Sequence, residues 1–117
     1  MPEQLDGCLF CTLAREGDHV AKGGGFVAIR DINPVADVHL LVLPERHVDT
    51  FRDVSAFSAE ESGRMLAFIA DTAREAGLED YRVIVNAGAG AGQTVFHLHW
   101  HILGWTSGAA PGMVGFR

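Results

Sequence analysis

The apolar positions of this chain change period several times, and each change marks an element. Phe26, Ala28 and Arg30 alternate with Val27 and Ile29, which predicts a short strand with two different faces. His39 to Leu43 reads as a second strand, with His39, Leu41 and Leu43 on one face. Pro44 ends it, because proline has no N–H to give a central ladder. From Ser58 the period lengthens. Ser58 and Glu61 form a capping box. Met65, Leu66, Ile69, Ala73 and Ala76 then follow at helical spacing, with Arg64, Asp71, Arg74 and Glu75 facing outward. One long helix to about Ala76 is predicted, with Gly77 as its C′ residue. Tyr81 to Asn86 returns to a strand pattern, and Val95 to Leu103 is a further strand in which Leu98, Trp100 and Ile102 oppose His97, His99 and His101. At the front, Asp6 caps a short helix from about Gly7 to Glu16, with Leu9, Phe10 and Leu13 on one side. Gly17 to Gly25 reads as a loop, and Asp31-Ile32-Asn33-Pro34 as a turn. After the first helix the order is strand, strand, helix, strand, strand, with a hairpin-like return between the last two. That is an α+β domain with a mainly antiparallel sheet.

At 117 residues this is one domain by size, residues 1–117, with a loose tail from 105 to 117. The 48% hydrophobic content is enough for an ordinary core. A formal charge of −6 argues against nonspecific nucleic-acid binding through a basic surface. No apolar run approaches the roughly 20 residues that span a membrane, and the N-terminus lacks a basic region followed by an apolar one. Cys8 and Cys11, only three positions apart, do not make a secreted disulfide framework. The expectation is a soluble cytoplasmic protein.

Three of the six histidines lie between positions 97 and 101. On a strand they share one face, with neighbours roughly 7 Å apart. Three readings compete for this row. It is a solvated polar face; or a pair of i, i+2 histidines holds a metal; or a central histidine is a nucleophile whose neighbours position it and handle protons. All three cannot share one ion, since His97 and His101 are about 13 Å apart along a straight strand. The preceding segment, Asn86 to Thr94, has no side chain larger than methyl between Asn86 and Gln93. Such a loop lets backbone N–H groups nest around an anion, and Gln93 and Thr94 add donors. It matches neither a P-loop nor a dinucleotide fingerprint. Feeding into the histidine row, it favours phosphorus as the target of a nitrogen nucleophile.

Gly92-Gln93-Thr94-Val95-Phe96-His97-Leu98-His99-Trp100-His101-Ile102-Leu103-Gly104 resembles the signature of the histidine triad (HIT) superfamily, most closely its Hint-type nucleotide hydrolases. Cys8-Leu9-Phe10-Cys11, Asp31-Ile32-Asn33-Pro34, His39 to His47 and Val83-Ile84-Val85-Asn86 match in family order. The resemblance implies a HIT-like fold, with a five-stranded sheet, one long helix and a short N-terminal helix. It implies that His99 attacks the α-phosphorus of a purine nucleotide and forms a nucleotidyl-histidine. His101 would bind the phosphate and assist the leaving group, with His97 and His39 in support. It places nucleotide contacts at Leu9, Phe10, Leu13, Asp31, Ile32, Asn86, Gly92, Gln93, Thr94 and Val95. Leu9, Phe10 and Leu13 would wall the base, Ile32 would pack on it, and Asp31 would accept from the ribose hydroxyls. The bland alternative for Asp31 is a turn residue.

Cys8 and Cys11 are two buried thiols or half of a zinc site. Some HIT relatives complete such a site with histidines, and His47 and His97 are the candidates here. The zinc would be structural, and no catalytic metal is required. The implied activity is a hydrolase or nucleotidyl transferase acting on a phosphoramidate, an acyl-adenylate or a dinucleoside polyphosphate. The rivals are a nucleotide-binding or interaction module with vestigial catalysis, and a metallohydrolase built on His97 and His99. A homodimer is expected. Trp105, Met113, Val114 and Phe116 put apolar surface on the tail, which would reach the neighbouring subunit's active site. The tail departs from the Gly-Gly-Arg ending of Hint proteins.

Overall fold

The computed structural model describes residues 4–106. Ala21–Gly23 (β1), Phe26–Arg30 (β2), Val38–Pro44 (β3), Arg82–Ile84 (β4) and Trp100–Gly104 (β5) form one five-stranded sheet. Its order is β1-β2-β3-β5-β4, and every pairing is antiparallel. The helices are Leu9–Glu16 (α1) and Ala59–Glu75 (α2), and two short 3₁₀ turns span Phe51–Ala56 and Ala89–Ala91. This is the α+β architecture that the periodicities predict.

The sheet is buried on both sides, each with its own core. Phe26, Ala28, Leu40, Val42, Leu98 and Ile102 pack on one face with Met65, Ile69 and Ala73 of α2. Val27, Ile29, Leu41 and Leu43 face the other way, against Phe10 and Ala14 of α1. The alternation within β2 and β3 thus sorts side chains into the two cores, as a period of two must. α2 starts at the predicted capping box, with the Ser58 side chain accepting from the Glu61 N–H and the Glu61 side chain accepting from the Ser58 N–H.

Five features differ from the sequence expectation. Gly17 to Gly25 is not wholly a loop, because Ala21–Gly23 pairs with β2. Gly24 and Gly25 both have positive φ, 64° and 96°, so they make the two-residue turn that strand twist favours. Ala21, Lys22 and Gly23 carry too little apolar signal to announce a strand. α1 begins at Leu9 and is capped by Cys8, whose Sγ accepts from Cys11 N–H, rather than by Asp6. Leu66 is 56% exposed and Ala76 is exposed, while Thr72 is buried in their place. The sheet takes only the narrow stripe 65, 69, 72, 73 of α2. The third predicted strand shrinks to Arg82–Ile84, and the ladder of the histidine strand begins only at Trp100. Before Trp100 the chain bends, yet Leu98 still enters the α2 core and His97 and His99 still avoid it. The expectations for Met113, Val114 and Phe116 lie outside the described residues.

Candidate functional site

β3 and β5 set the first two imidazoles. His39 pairs with Leu103 and His101 with Leu41, so the two histidines are diagonal neighbours on the face that α1 only partly covers. His39 Nε2 lies 2.9 Å from His101 Nδ1 and 3.3 Å from Asp31 Oδ2. Val35 N–H donates to His39 Nδ1 at 3.1 Å. That bond decides the tautomer. Nδ1 of His39 is an acceptor, so its proton sits on Nε2 and is directed to His101 Nδ1, leaving the His101 proton on Nε2.

His99 is set by a different partner. Its Nδ1–H donates to the backbone carbonyl of His97 at 2.7 Å. The free lone pair is therefore on Nε2. The His99 ring lies edge-on to His101, with centroids 5.2 Å apart, and against Phe10 at 4.9 Å. Burial holds the pKa of His99 below the usual histidine value. Burial, then His99 and His39, push His101 down to about 4. Burial also lowers His39, against the pull of Asp31. At neutral pH the row is uncharged, which is the state in which an imidazole nitrogen is nucleophilic.

His97 turns away from this row. Its Nε2–H donates to the Pro44 carbonyl at 2.8 Å, which leaves Nδ1 as a lone pair 3.5 Å from Cys8 Sγ and 3.4 Å from Cys11 Sγ. His47 repeats the arrangement. Asp49 Oδ1 takes the Nε2–H of His47, and His47 Nδ1 lies 3.3 Å from Cys11 Sγ. The four ligand atoms of Cys8, Cys11, His47 and His97 lie within 4.8 Å of one another, and the group could hold a metal ion. The contacts of 3.3–3.5 Å match the S···N edge of a tetrahedral zinc site, about 3.5 Å from ordinary Zn–S and Zn–N lengths. Burial raises the pKa of the Cys11 thiol, so a cation would be needed to keep its thiolate there.

Asp31, His39 and His101 form a second group of possible ligands. Here the tautomers are wrong for a metal. Val35 N–H already occupies His39 Nδ1, so Nε2 must carry the proton that a metal would displace.

The glycine loop is held open from inside. Gly88 and Gly92 have φ of 95° and 100°, which L side chains rarely adopt. Gln93 is 3% exposed. Its Oε1 accepts from Gly88 N–H, and its Nε2 donates to the carbonyls of Asp49 and Val95, at 2.8, 2.8 and 3.0 Å. The Gln93 amide is thus committed to shaping the loop, which corrects the expectation that it donates directly to an anion. Thr94 and Gly92 are exposed, and Asn86 and Val95 are half-buried, along the same segment.

Other expected contacts divide. Leu9 is 55% exposed and Ile32 91% exposed, both free to meet a ligand, while Leu13 is half-buried. Phe10 is 7% exposed and spends its ring on α1 packing and on His99. Asp31 is both a turn residue, accepting from Asn33 N–H at 2.8 Å, and a neighbour of His39. His19, without a role in the sequence reading, places its Nε2 2.9 Å from the Leu13 carbonyl of α1. Asp49 and the Pro44 carbonyl were missed. The only signal for Asp49 was its place two residues after His47, on the same side of an extended segment.

Residues 15–108 match the family model of the HIT domain. HitA of Neisseria gonorrhoeae is 36% identical over 104 residues, covering 86% of this chain and 97% of that protein. The purine nucleoside phosphoramidase of Escherichia coli (strain K12) is 40% identical over 79 residues, 66% of each chain. Among solved structures, the HIT family hydrolase from Clostridium thermocellum has a TM-score of 0.83 at 32% identity, covering 95% of this chain and 100% of that one. With the match running through both the sheet and the histidine row, the chain belongs to the HIT domain family.

Proposed function

We propose that this protein is a nucleotide hydrolase that acts on the α-phosphate of a purine nucleotide through a covalent nucleotidyl-histidine. The observation that carries the reading is the tautomer of His99. Its Nδ1–H is fixed on the His97 carbonyl, so Nε2 presents a lone pair beside His101 and after the glycine loop. In the first step His99 Nε2 bonds to phosphorus, and the bond from phosphorus to the leaving group breaks. His101 Nε2–H donates a hydrogen bond to the leaving atom, with His39 holding the ring from the far side, and the departing group takes its proton from solvent. The positive charge on the substituted imidazole is stabilised by the His97 carbonyl. Water then attacks the same phosphorus and regenerates His99. Backbone N–H groups of the glycine loop and the Thr94 hydroxyl receive the phosphoryl oxygens, and Gln93 keeps that loop in shape. Leu9, Leu13 and Ile32 contact the base, and Asp31 accepts from the ribose. The phosphoramidase of Escherichia coli makes adenosine phosphoramidate the first substrate to try.

We propose zinc for the Cys8, Cys11, His47 and His97 group, in a structural role. Bound there, it would join α1 to the segment after β3 and to the start of the histidine row. We also propose a homodimer. Val83 at the β4 edge is 40% exposed, with Tyr81 at 38% and Phe51 at 40%, and Trp100 Nε1 is buried without a partner among the described residues. A second copy would cover this edge. Light scattering tests it, and a full-length monomer at micromolar concentration would refute it.

The catalytic reading is tested with His99→Ala and radiolabelled adenosine phosphoramidate. The native protein should give an acid-labile adduct within one turnover. The variant should form none and lose at least about a thousandfold in kcat, the scale of removing a nucleophile. Turnover near the native level in the variant would sink the mechanism.

A further inference from the structure

One acidic residue belongs neither to the ligand set nor to the surroundings of His99, yet its side chain bonds to one half of the site and its backbone carbonyl to the other. Asp49 Oδ1 accepts the Nε2–H of His47. The backbone carbonyl of the same residue accepts Gln93 Nε2–H at 2.8 Å, and Gln93 is the buried side chain that closes the glycine loop on Gly88 N–H. We infer that Asp49 is a positioning residue that ties the Cys/His centre to the glycine loop, so that metal occupancy and loop geometry are set together. This rests on the metal reading proposed above.

The Asp49 side chain is 59% exposed. An exposed ion pair contributes little stability by itself, so its value lies in direction. A neutral imidazole carries one proton. If that proton sat on Nδ1 of His47, it would point at Cys11 Sγ and the nitrogen could not bind a metal. A carboxylate on Nε2 selects the other tautomer and makes Nδ1 more basic. The backbone is anchored on both sides of Asp49. Val48 is 5% exposed, and its carbonyl accepts from Leu98 N–H at 2.6 Å. Thr50 is 4% exposed, and its hydroxyl accepts from Arg52 N–H at 2.9 Å. Between these two anchors, a shift of His47 moves the Asp49 carbonyl, and with it the Gln93 amide.

Two of the four ligands border a surface depression. A depression of about 430 Å³ is lined by Leu5, Cys8, Leu9, His47, Asp49 and Phe96 among others. Cys8 and His47 line it while Cys11 and His97 are buried, so a chelator can approach from the side of these two ligands, and metal release becomes a readout.

Two measurements on the zinc-loaded chain test the inference. The first is the rate of zinc transfer to a chromogenic chelator. Asp49→Ala should release zinc about 10- to 100-fold faster, the usual effect of losing such a partner, with Asp49→Asn in between because it keeps an acceptor oxygen. The second is hydrogen exchange at the Gly88 amide, which is bonded to Gln93 Oε1. In the native chain, zinc removal should speed Gly88 exchange at least about fivefold, a coupling of the ordinary size between linked sites. In loaded Asp49→Ala the amide should already exchange fast, and zinc removal should add little. His97 also joins the two regions, but it is present in both proteins, so the difference isolates Asp49. Native release from Asp49→Ala overturns the inference. So does faster release with unchanged Gly88 protection, which would leave Asp49 a local partner of His47. If Asp49→Ala does not fold, Asp49→Asn decides by the same two readouts. A native chain that takes up no zinc counts against the metal reading instead, and Gly88 exchange in the variant still decides whether Asp49 holds the loop.

Discussion

Replacing Cys8 by serine separates the two things that this residue does. Cys8 is both a candidate metal ligand and the N-cap of α1, with its Sγ 3.3 Å from Cys11 N–H. Serine is among the best N-cap residues, so Cys8→Ser keeps or slightly improves the cap, by roughly 0.5 kcal/mol, while removing the thiolate. Without metal, α1 is still held by burial of Phe10 and Ala14, worth about 2–4 kcal/mol. The helix should therefore stay docked, and metal-free Cys8→Ser should melt at or just above metal-free native protein. With zinc the order should reverse. At free zinc a thousandfold above Kd, linkage contributes about 4 kcal/mol to the native chain. For 117 residues that corresponds to a gain of roughly 12–20 °C in Tm. Cys8→Ser should keep only a small part of this gain, because three ligands bind far more weakly than four. Calorimetric melting of both proteins, each with zinc and with chelator, gives the four values needed. Equal Tm deficits in zinc and in chelator would show that Cys8 acts through packing, and would refute the metal reasoning.

Three further outcomes are expected. Gln93→Ala removes three hydrogen bonds and leaves Gly88 N–H and the Asp49 and Val95 carbonyls without their partner, at a cost of about 2–4 kcal/mol. Denaturant titration checks this, and KM for the nucleotide should rise more than kcat falls. Stability of the metal-free chain should drop as pH falls from about 6.5 to 4. His97 and His101 both have folded values of about 4, below the unfolded 6.5, so the unfolded chain binds more protons across that window and the native state loses ground. A Tm flat over that range would contradict the buried neutral row. Removing residues 110–117 should alter the substrate profile or the oligomeric state more than the folding of the domain, and an identical profile from an unchanged dimer would make the tail an inert extension.

Among the described residues, no helix is long and apolar enough to cross a membrane. That agrees with the charge and hydropathy of the chain.

Much of this protein is written in local patterns. Ser58 and Glu61 announce α2, because a capping box is satisfied within one turn of chain. The alternation of β2, β3 and β5 assigns their residues to faces, because side chains alternate along an extended segment, whereas His97 leaves the row where the chain bends before Trp100. The chemistry of the row and of the Cys-x-x-Cys pair is legible for the same reason, since residue types at fixed spacing restrict what can be bound or attacked. Other features depend on segments far apart in sequence. The free nitrogen of His97 is decided by the Pro44 carbonyl, 53 residues away, which only packing brings to the ring, whereas His39, His47 and His99 are set by the near neighbours Val35, Asp49 and the His97 carbonyl, through a local backbone course that alternation does not announce. Gln93 looks like a free donor until the fold buries it among Gly88, Asp49 and Val95. Leu66 looks like core until the sheet takes a narrower stripe of α2. Sequence patterns specify which face a side chain takes. The exposure of a side chain and such bonds as Gln93 to Asp49, His97 to Pro44 and His39 to His101 are specified by the tertiary structure, because they depend on what the folded chain places within 3 Å.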